Sequence, residues 1–350
     1  RGSLSYLYAD LSGNRYWYDT RPTLRKTAED RASQQSRENV EMEIERRLRN
    51  IRKERPFSRL HINPASSADV SDDQDVGLVI LPISATYKTN APTDHAIQTA
   101  LDILNNRGQS PRIYRNMLAF IAPDQNTMIG LKDASRQFLA WKSIKEDSED
   151  LNLDAAQNRE TQNMLERCDR TIEDRIRETY CWLLVPYIDL EVSKSDIVWK
   201  TTSIRGGTDT IVTKAARKME QNEQLIGKWA PSLLLMELDK LLWGESDCKN
   251  IGDLWKQLCT YCYLPRLVNF DVLADAVQTG VNSDEYFAYA DGFSDGKFTG
   301  LKYNRFIPFV DKSGYIVKQV AALKQIAAQT PSVTLPQPPV DPVNPPVNPV

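Results

Sequence analysis

Apolar positions along the chain alternate between continuous runs and helix-spaced stripes. The stretches DVGLVILPI, YRNMLAFIAP and TYCWLLVPY are near-continuous apolar runs, which are typical of strands buried on both faces of a sheet. The stretches around them predict helices over 93–106, 126–146 and 154–178. Strands that alternate with helices predict an α/β domain over residues 56–194, with a mostly parallel sheet that is covered by helices.

The first 55 residues have a different pattern. LSYLYADLSGNRYWYDT contains two aromatic-rich runs around Ser12-Gly13-Asn14, which predicts a hairpin. In such a hairpin Tyr16 and Tyr18 face one side and Trp17 the other, so the three rings cannot form one stacking platform. Apolar residues at helical spacing then predict one long helix over 22–55. We interpret residues 1–55 as the end of an upstream domain.

From residue 195 the pattern becomes mainly helical. A strand and turn come first, and helices follow over 211–242, from Asn250 to Pro265, and near 269–280. YFAYADGFSDGKFTGLKY then alternates around glycines, which predicts a hairpin over 286–303. This order is that of a winged-helix module, so residues 195–330 are interpreted as a mainly α, winged-helix-like domain. Residues 331–350 are rich in proline and predict a disordered linker.

Composition and charge exclude some classes of function. The 350 residues are 41% hydrophobic and 26% charged, with a formal net charge of -3, which argues against strong whole-surface attraction to nucleic acid. No apolar run approaches the roughly 18 residues of a membrane helix, so we expect no membrane partner. Five scattered cysteines do not indicate a disulfide framework, and we expect a cytoplasmic protein.

The familiar catalytic and metal-binding motifs are missing from the sequence. There is no GxxxxGK[ST] loop and no GxGxxG after a strand, and SIRGGTDT is interpreted as a plain turn. Cys259 and Cys262 form a CxxC within an apolar helix, which favours two core residues over a zinc or redox site. The SDDQD stretch favours a solvated loop over a magnesium site. We therefore predict no catalytic residue, no metal site and no bound cofactor in this chain.

Basic residues provide the remaining candidates. A helix over 270–279 would be the recognition helix of a winged helix, but it carries no Lys or Arg. The better candidates for nucleic-acid phosphate are Arg205, Lys214, Arg217, Lys218 and Lys228 in the basic stretch, with Lys297 and Lys302 in the hairpin. Arg112 and Arg115 precede a buried strand and are candidates to contact an anion or a neighbouring subunit, although we favour an ion pair with one of the acidic helices.

Several stretches of the sequence are similar to segments of a known protein family. These stretches are RYWYDTRPTLRKTAEDRA, SPRIYRNMLAFIAPD, ETYCWLLVPY and YFAYADGFSDGKFTGLKY. In residue identity and in order along the chain they resemble segments of large bacterial and archaeal AAA-type ATPases. These are catalogued as domain of unknown function 499 and are often encoded beside DNA methylases and helicases in anti-phage defence islands. The resemblance covers nearly everything before the proline-rich tail. In that family the phosphate loop lies upstream of the segment matched here.

The resemblance implies a non-catalytic accessory region of a defence-type ATPase that contacts DNA or couples the motor to DNA. ATP and magnesium are expected for the full-length family protein and not for this chain. The implied partners are DNA, the upstream ATPase core and further copies of the chain in a homo-oligomer. The alternative is a protein-interaction or assembly module that does not bind nucleic acid.

Overall fold

The structure is a computed structural model, and it describes residues 7–9, 16–18, 22–89, 94–193, 195–282 and 286–329. The proline-rich segment 331–350 and the side chains of Tyr16, Trp17 and Tyr18 lie outside the described part. The chain divides into two compact units. The first contains residues 1–229 and 253–273, and the second contains residues 230–252 and 274–350.

The N-terminal segment forms a hairpin and two helices. Strands β1 (Leu7–Ala9) and β2 (Tyr16–Tyr18) pair antiparallel, so the predicted hairpin is confirmed. The prediction of one long helix over 22–55 was wrong, because the structure has α1 (Leu24–Gln34) and α2 (Arg37–Leu48) instead. Ser36 causes the break: its backbone is extended and its hydroxyl accepts a hydrogen bond from the Asn39 amide, so it caps the second helix.

The first unit contains a five-stranded sheet. Its strands, in spatial order, are β3 (Arg59–Ile62), β4 (Gly77–Ile80), β7 (Leu118–Pro123), β8 (Tyr180–Ile188) and β9 (Ile197–Ser203). A short hairpin of β5 (Asn106–Arg107) and β6 (Ser110–Pro111) lies outside this sheet. The first three strands are parallel, whereas β8 and β9 each pair antiparallel with their predecessor. The α/β class is confirmed, and the sheet is mixed.

The direction of β8 follows from the number of helices before it. One helix, α3 (His95–Asn105), connects β4 to β7 and returns the chain for parallel pairing. Two helices that pack along each other, α4 (Gln125–Glu146) and α5 (Ala155–Thr179), connect β7 to β8. A helical hairpin brings the chain back to the end of the sheet that it left, so β8 enters antiparallel to β7.

Alternate positions of the central strands form the core beside α3. Val79 and Phe120 belong to a cluster with Ala100 and Leu104 of α3, while their strand neighbours face the other side of the sheet. All six residues of β7 are buried, as its continuous apolar run predicts. The sheet therefore holds the carboxyl end of β7 and the residue that follows it, Asp124, in a fixed position.

The first unit extends beyond the predicted boundary at residue 194. Strand β9 pairs with β8 along its whole length, and α6 (Ile211–Gln221) packs against β8. Arg266 also belongs to this unit: its buried guanidinium donates to the backbone carbonyls of Asn116, Gln224 and Pro186. Burial lowers the pKa of Arg266 to about 10.

The second unit contains a small antiparallel sheet and helices. The elements from residue 231 onwards are, in chain order, α7 (Pro231–Glu237), β10 (Cys248–Asn250), α8 (Ile251–Thr260), α9 (Phe270–Asn282), β11 (Phe287–Ala290), β12 (Gly292–Ser294), β13 (Lys297–Thr299), β14 (Tyr315–Lys318) and α10 (Gln319–Gln329). Helix α7 continues as a π-helical turn, and α8 lies mainly in the first unit. The sheet order is β10-β14-β11, and β12 and β13 form a separate hairpin. The hairpin predicted over 286–303 is present: β12 pairs antiparallel with β13, and Tyr289 and Lys302 form a further antiparallel bridge outside these strands.

Candidate functional site

Four of the predicted basic residues line one pocket on the surface of the first unit. The pocket has a volume of about 240 Å³ and lies between the turn that follows β9 and one face of α6. We call it the basic pocket, and its charged side chains are Arg205, Asp209, Lys214, Arg217 and Lys218. The sequence placed these cations in one stretch, and the structure brings them to one concave surface.

The face of α6 that borders the pocket follows from helical spacing. Lys214, Arg217 and Lys218 occupy positions i, i+3 and i+4, which are neighbours on a helix surface. The apolar residues Val212 and Met219 lie on the opposite, buried face. The helix begins where the Thr210 hydroxyl accepts a hydrogen bond from the backbone amide of Thr213. An amphipathic helix thus directs its cations together towards solvent.

Two consecutive glycines shape the turn at the rim of the pocket. Gly206 and Gly207 have φ angles of +84° and +69°, a region that other residues adopt only with strain. In the part of the chain that the structure describes, no atom outside the glycine and its chain neighbours lies within 4 Å of the position that a Cβ would take at either residue, so this rim is open. The sequence favoured a plain turn here, and the structure places that turn beside four cationic side chains.

Arg205 is oriented by an ion pair with a buried carboxylate. Its Nη2 lies 2.7 Å from Oδ2 of Asp124, whose side chain is only 5% exposed. Its Nε donates to the Cys181 sulfur at 3.1 Å, and the guanidinium lies 5.8 Å from the centre of the Trp182 ring. The Arg205 guanidinium therefore lines the pocket in an orientation that is largely set before a ligand binds.

Asp124 is stabilised as a carboxylate by several donors. Its Oδ1 accepts hydrogen bonds from the backbone amides of Asn126 and Thr127 at the start of α4, and its Oδ2 accepts one from the Trp182 indole. Burial would raise the pKa of Asp124, but the bond from Trp182, the backbone amides and the charge of Arg205 outweigh this effect and lower it. The group therefore stays ionised and keeps its hold on Arg205.

The cations of the pocket differ in how they are paired. Arg217 forms an ion pair with Asp209, with an N–O distance of 2.8 Å. Lys214 and Lys218 are half-buried, and the structure shows neither an ion pair nor a side-chain hydrogen bond for them within the part of the chain that it describes. Two ammonium groups therefore remain available to an anion.

Three other basic candidates lie outside this pocket. Lys228 is exposed beyond the end of α6, and Lys297 and Lys302 belong to the second unit. Lys302 forms an ion pair with Asp291 at 3.4 Å and lies over the Tyr289 ring. The structure therefore separates the predicted set into a pocket of four and three residues elsewhere.

Arg112 has a structural role instead of an exposed one. Its side chain is completely buried, and its guanidinium donates to backbone carbonyls of the segments around it. The acceptors are the carbonyls of Ser67, Val70, Ser71, Ile103 and Asn106. No anion or neighbouring subunit can reach this group in the folded protein. Arg115 is half-buried in a 3-10 turn, and its predicted contact stays a prediction.

A second cavity, of about 300 Å³, lies between α2, α5 and the start of α6. Most of its charged groups already have partners. Arg47 binds Glu173 and two further carboxylates, and the Glu54 carboxylate accepts hydrogen bonds from the hydroxyls of Thr210 and Thr213. This cavity therefore offers fewer free charges than the basic pocket.

The remaining motifs have local explanations. Asp72 accepts hydrogen bonds from the amides of Ile113 and Tyr114, and Asp73 forms an ion pair with Arg59. Cys259 and Cys262 are buried, as predicted for core residues. Among the described residues no group of three or more His, Cys, Asp or Glu side chains is arranged to hold a metal ion. In the same residues no helix is both long and apolar enough to cross a bilayer.

Sequence reasoning missed Asp124 and Trp182. A signal for Asp124 was present, because an aspartate that directly follows a buried strand and precedes a helix is a typical N-cap. Trp182 stands in an apolar strand, where its half-buried indole N–H needs a hydrogen-bond acceptor. That Arg205 completes this group depends on the pairing of β8 with β9, which local sequence does not reveal.

Comparison with known proteins gave no significant match to a protein-family model, to a curated protein or to a solved structure. The case for a function therefore depends on the geometry of the site.

Proposed function

We propose that this chain contacts the phosphates of nucleic acid through the basic pocket. The observation that carries the proposal is the convergence of Arg205, Lys214, Arg217 and Lys218 on one concave surface. Clustered cations release condensed counterions when they neutralise phosphates, which provides affinity without reading sequence. The structure describes no partner for Lys214 and Lys218, so a bound anion would stabilise these two charges most.

The resemblance to AAA-type ATPases supports a role for this contact. In this proposal the chain is the non-catalytic accessory region of a defence-type ATPase, and the basic pocket couples the motor to DNA. The upstream ATPase core is the expected partner. Addition of DNA to the two together should change the rate of ATP hydrolysis, and an unchanged rate would argue against coupling.

The order of elements in the C-terminal part supports a winged-helix interpretation. Helices α8 and α9 follow β10 in the chain, and the hairpin β12–β13 comes before β14, which lies between β10 and β11 in the sheet. However, α9 carries no Lys or Arg to contact phosphate or a base edge. We therefore assign the phosphate contact to the basic pocket, and propose the winged-helix part as an accessory to it.

A binding experiment with the whole chain tests the proposal. Fluorescence anisotropy with labelled duplex and single-stranded DNA, over a salt series that starts at about 50 mM, should show binding that weakens steeply with salt. Reversal of charge at Arg217 and Lys218 should weaken binding to the same degree for every DNA sequence. No binding at the lowest salt concentration would reject the proposal.

A matched variant controls for net charge. Reversal of Lys142 and Lys145 on α4 changes the charge of the chain by the same amount but leaves the basic pocket intact. We expect this control to bind DNA nearly as well as the unmodified chain. Equal losses in the two variants would mean that only the overall charge matters, and would reject the pocket as the contact.

The second candidate function is a protein-interaction or assembly module. It is favoured by large apolar side chains that the second unit exposes: Phe306 is 75% exposed and Phe309 is 69% exposed. On this interpretation light scattering should show a self-associated chain, or a complex with the ATPase core. Replacement of both phenylalanines by serine should abolish that association, and the unmodified chain should not bind DNA.

A further inference from the structure

The size of the basic pocket limits what it can enclose. Its volume of about 240 Å³ lies below the range of roughly 300–1,000 Å³ that is typical of sites for whole drug-sized ligands. A phosphate group with part of the attached sugar fits this space better than a complete nucleotide does. The open rim at Gly206 and Gly207 leaves room for the rest of a polynucleotide to continue outside the pocket.

The charges of the pocket indicate which phosphate it prefers. Four cations line it, and two of them are already neutralised, because Arg205 is bound to Asp124 and Arg217 to Asp209. The two remaining positive charges are those of Lys214 and Lys218. An internal phosphodiester brings one negative charge, whereas a terminal phosphate brings about 1.5 to 2 at pH 7. Only the terminal group balances both lysines.

Geometry supports the same choice. The pocket combines a guanidinium held in a set orientation, Arg205, with two flexible ammonium groups on α6. Three donors that converge from two directions can surround the free oxygens of a terminal phosphate. An internal phosphodiester has only two such oxygens, and its sugars on both sides obstruct entry into a concave site.

We infer that the basic pocket binds a terminal phosphate of a nucleic-acid strand in preference to an internal phosphodiester. This inference rests on the proposed nucleic-acid function and specifies its ligand. In this inference Lys214 and Lys218 contact the terminal phosphate, and Asp124 is a positioning residue that acts through Arg205.

The test compares two pairs of oligonucleotides, and the members of each pair differ only at one end. One pair of single-stranded DNAs has a 3′ fluorophore and either a 5′-phosphate or a 5′-hydroxyl, and a second pair has a 5′ fluorophore and either a 3′-phosphate or a 3′-hydroxyl. The whole chain is titrated by anisotropy at about 50 mM salt. The strand with a phosphate at the preferred end should bind roughly three- to tenfold more tightly, and inorganic phosphate should compete with it.

Two charge-matched variants locate the effect. Lys214→Ala with Lys218→Ala should abolish the preference for the phosphorylated end. Lys228→Ala with Lys297→Ala removes the same charge outside the pocket and should keep the preference. The changed side chains are exposed or half-buried, so both proteins should show the circular dichroism and melting temperature of the unmodified chain.

The possible outcomes separate the two proposals. Equal affinity for phosphorylated and hydroxyl ends, in both pairs, would overturn this inference and leave the proposed nucleic-acid contact standing. A preference that survives removal of Lys214 and Lys218 would show that another site provides it and would also overturn the inference. Absence of binding to all four strands would overturn the inference, and absence of binding to duplex DNA as well would also reject the proposed function.

Discussion

Asp124 and Arg205 form an ion pair that joins the carboxyl end of β7 to the turn after β9, with 2.7 Å between Oδ2 and Nη2. The same carboxylate caps α4 through the amides of Asn126 and Thr127. One buried group therefore stabilises the fold and also sets the orientation of a cation in the basic pocket. Because the Asp124 side chain has both roles, its substitution should have a measurable effect on the protein.

We expect Asp124→Asn to lower the free energy of unfolding by about 1–3 kcal/mol near pH 7, because a charged acceptor is lost while asparagine still caps the helix. The folded state lowers the pKa of Asp124, so its contribution is complete above the unfolded pKa of about 3.9. That contribution is lost as the pH falls through the lower folded value. Urea denaturation of both proteins from neutral to acidic pH should show a gap that narrows below about pH 4. A gap that is independent of pH would contradict the assignment.

The ion network around Arg47 provides a second prediction. Arg47 is only 3% exposed, and it binds Glu43, Asp169 and Glu173 at 2.6–2.7 Å. Arg47→Met should destabilise the protein by about 3–5 kcal/mol, because the buried Glu43 loses its buried partner. Arg46 binds the same carboxylate but is 58% exposed, so Arg46→Met should cost at most about 1 kcal/mol. Similar costs in chemical denaturation would contradict the proposed role of burial.

Arg112→Lys tests whether the guanidinium acts as a clamp on backbone carbonyls. Lysine keeps the charge, but a single ammonium group cannot reach carbonyls spread over several segments. Acceptors left without a donor in a buried position should lower the free energy of unfolding by about 2 kcal/mol or more. Arg115→Lys is the matched control in the same segment, and we expect a change within about 0.5 kcal/mol. Equal melting temperatures for the two variants would refute the clamp.

Two glycine-to-alanine substitutions should change stability in opposite directions. Gly130 lies within α4, and among the described residues no atom outside the surrounding turns of the helix lies within 4 Å of the position that an alanine methyl group would take. Gly130→Ala should therefore stabilise the protein by about 0.5–1 kcal/mol. In α9 a Cβ at Gly280 would overlap the ring of Phe287, so Gly280→Ala should cost about 1–3 kcal/mol. Thermal melts of both variants test the packing. A stabilising Gly280→Ala would show that the ring moves aside.

Elements governed by local pattern could be predicted well. The apolar run before Asp124 predicted β7, and the helices predicted over 126–146 and 154–178 agree with α4 and α5 within a residue or two. Burial and helical periodicity are properties of neighbouring residues, so a single sequence contains them. The break at Ser36 was missed because the buried positions Ala28 and Ala32 before it and Val40 after it keep the four-residue spacing of a single helix, so the pattern shows no interruption at a residue that is also a good helix cap.

The candidate site was only partly visible in the sequence. The cations on α6 could be grouped because helical spacing alone places Lys214, Arg217 and Lys218 on one face. Arg112 was misleading, since a sequence does not distinguish an arginine that reaches solvent from one that binds backbone carbonyls. The burial of each arginine is decided by segments that are distant along the chain.

The sequence by itself determined the α/β class, the positions of the buried strands and the cationic face of α6, because these depend on hydrophobic periodicity and on helix and turn chemistry over short distances. Only the tertiary structure decided that β8 runs antiparallel, that β9 belongs to the same sheet, and that Asp124 meets Arg205 beside the basic pocket. Those relationships depend on contacts between residues far apart in the chain, whose pairing is set by how whole helices and strands pack together and not by their own composition.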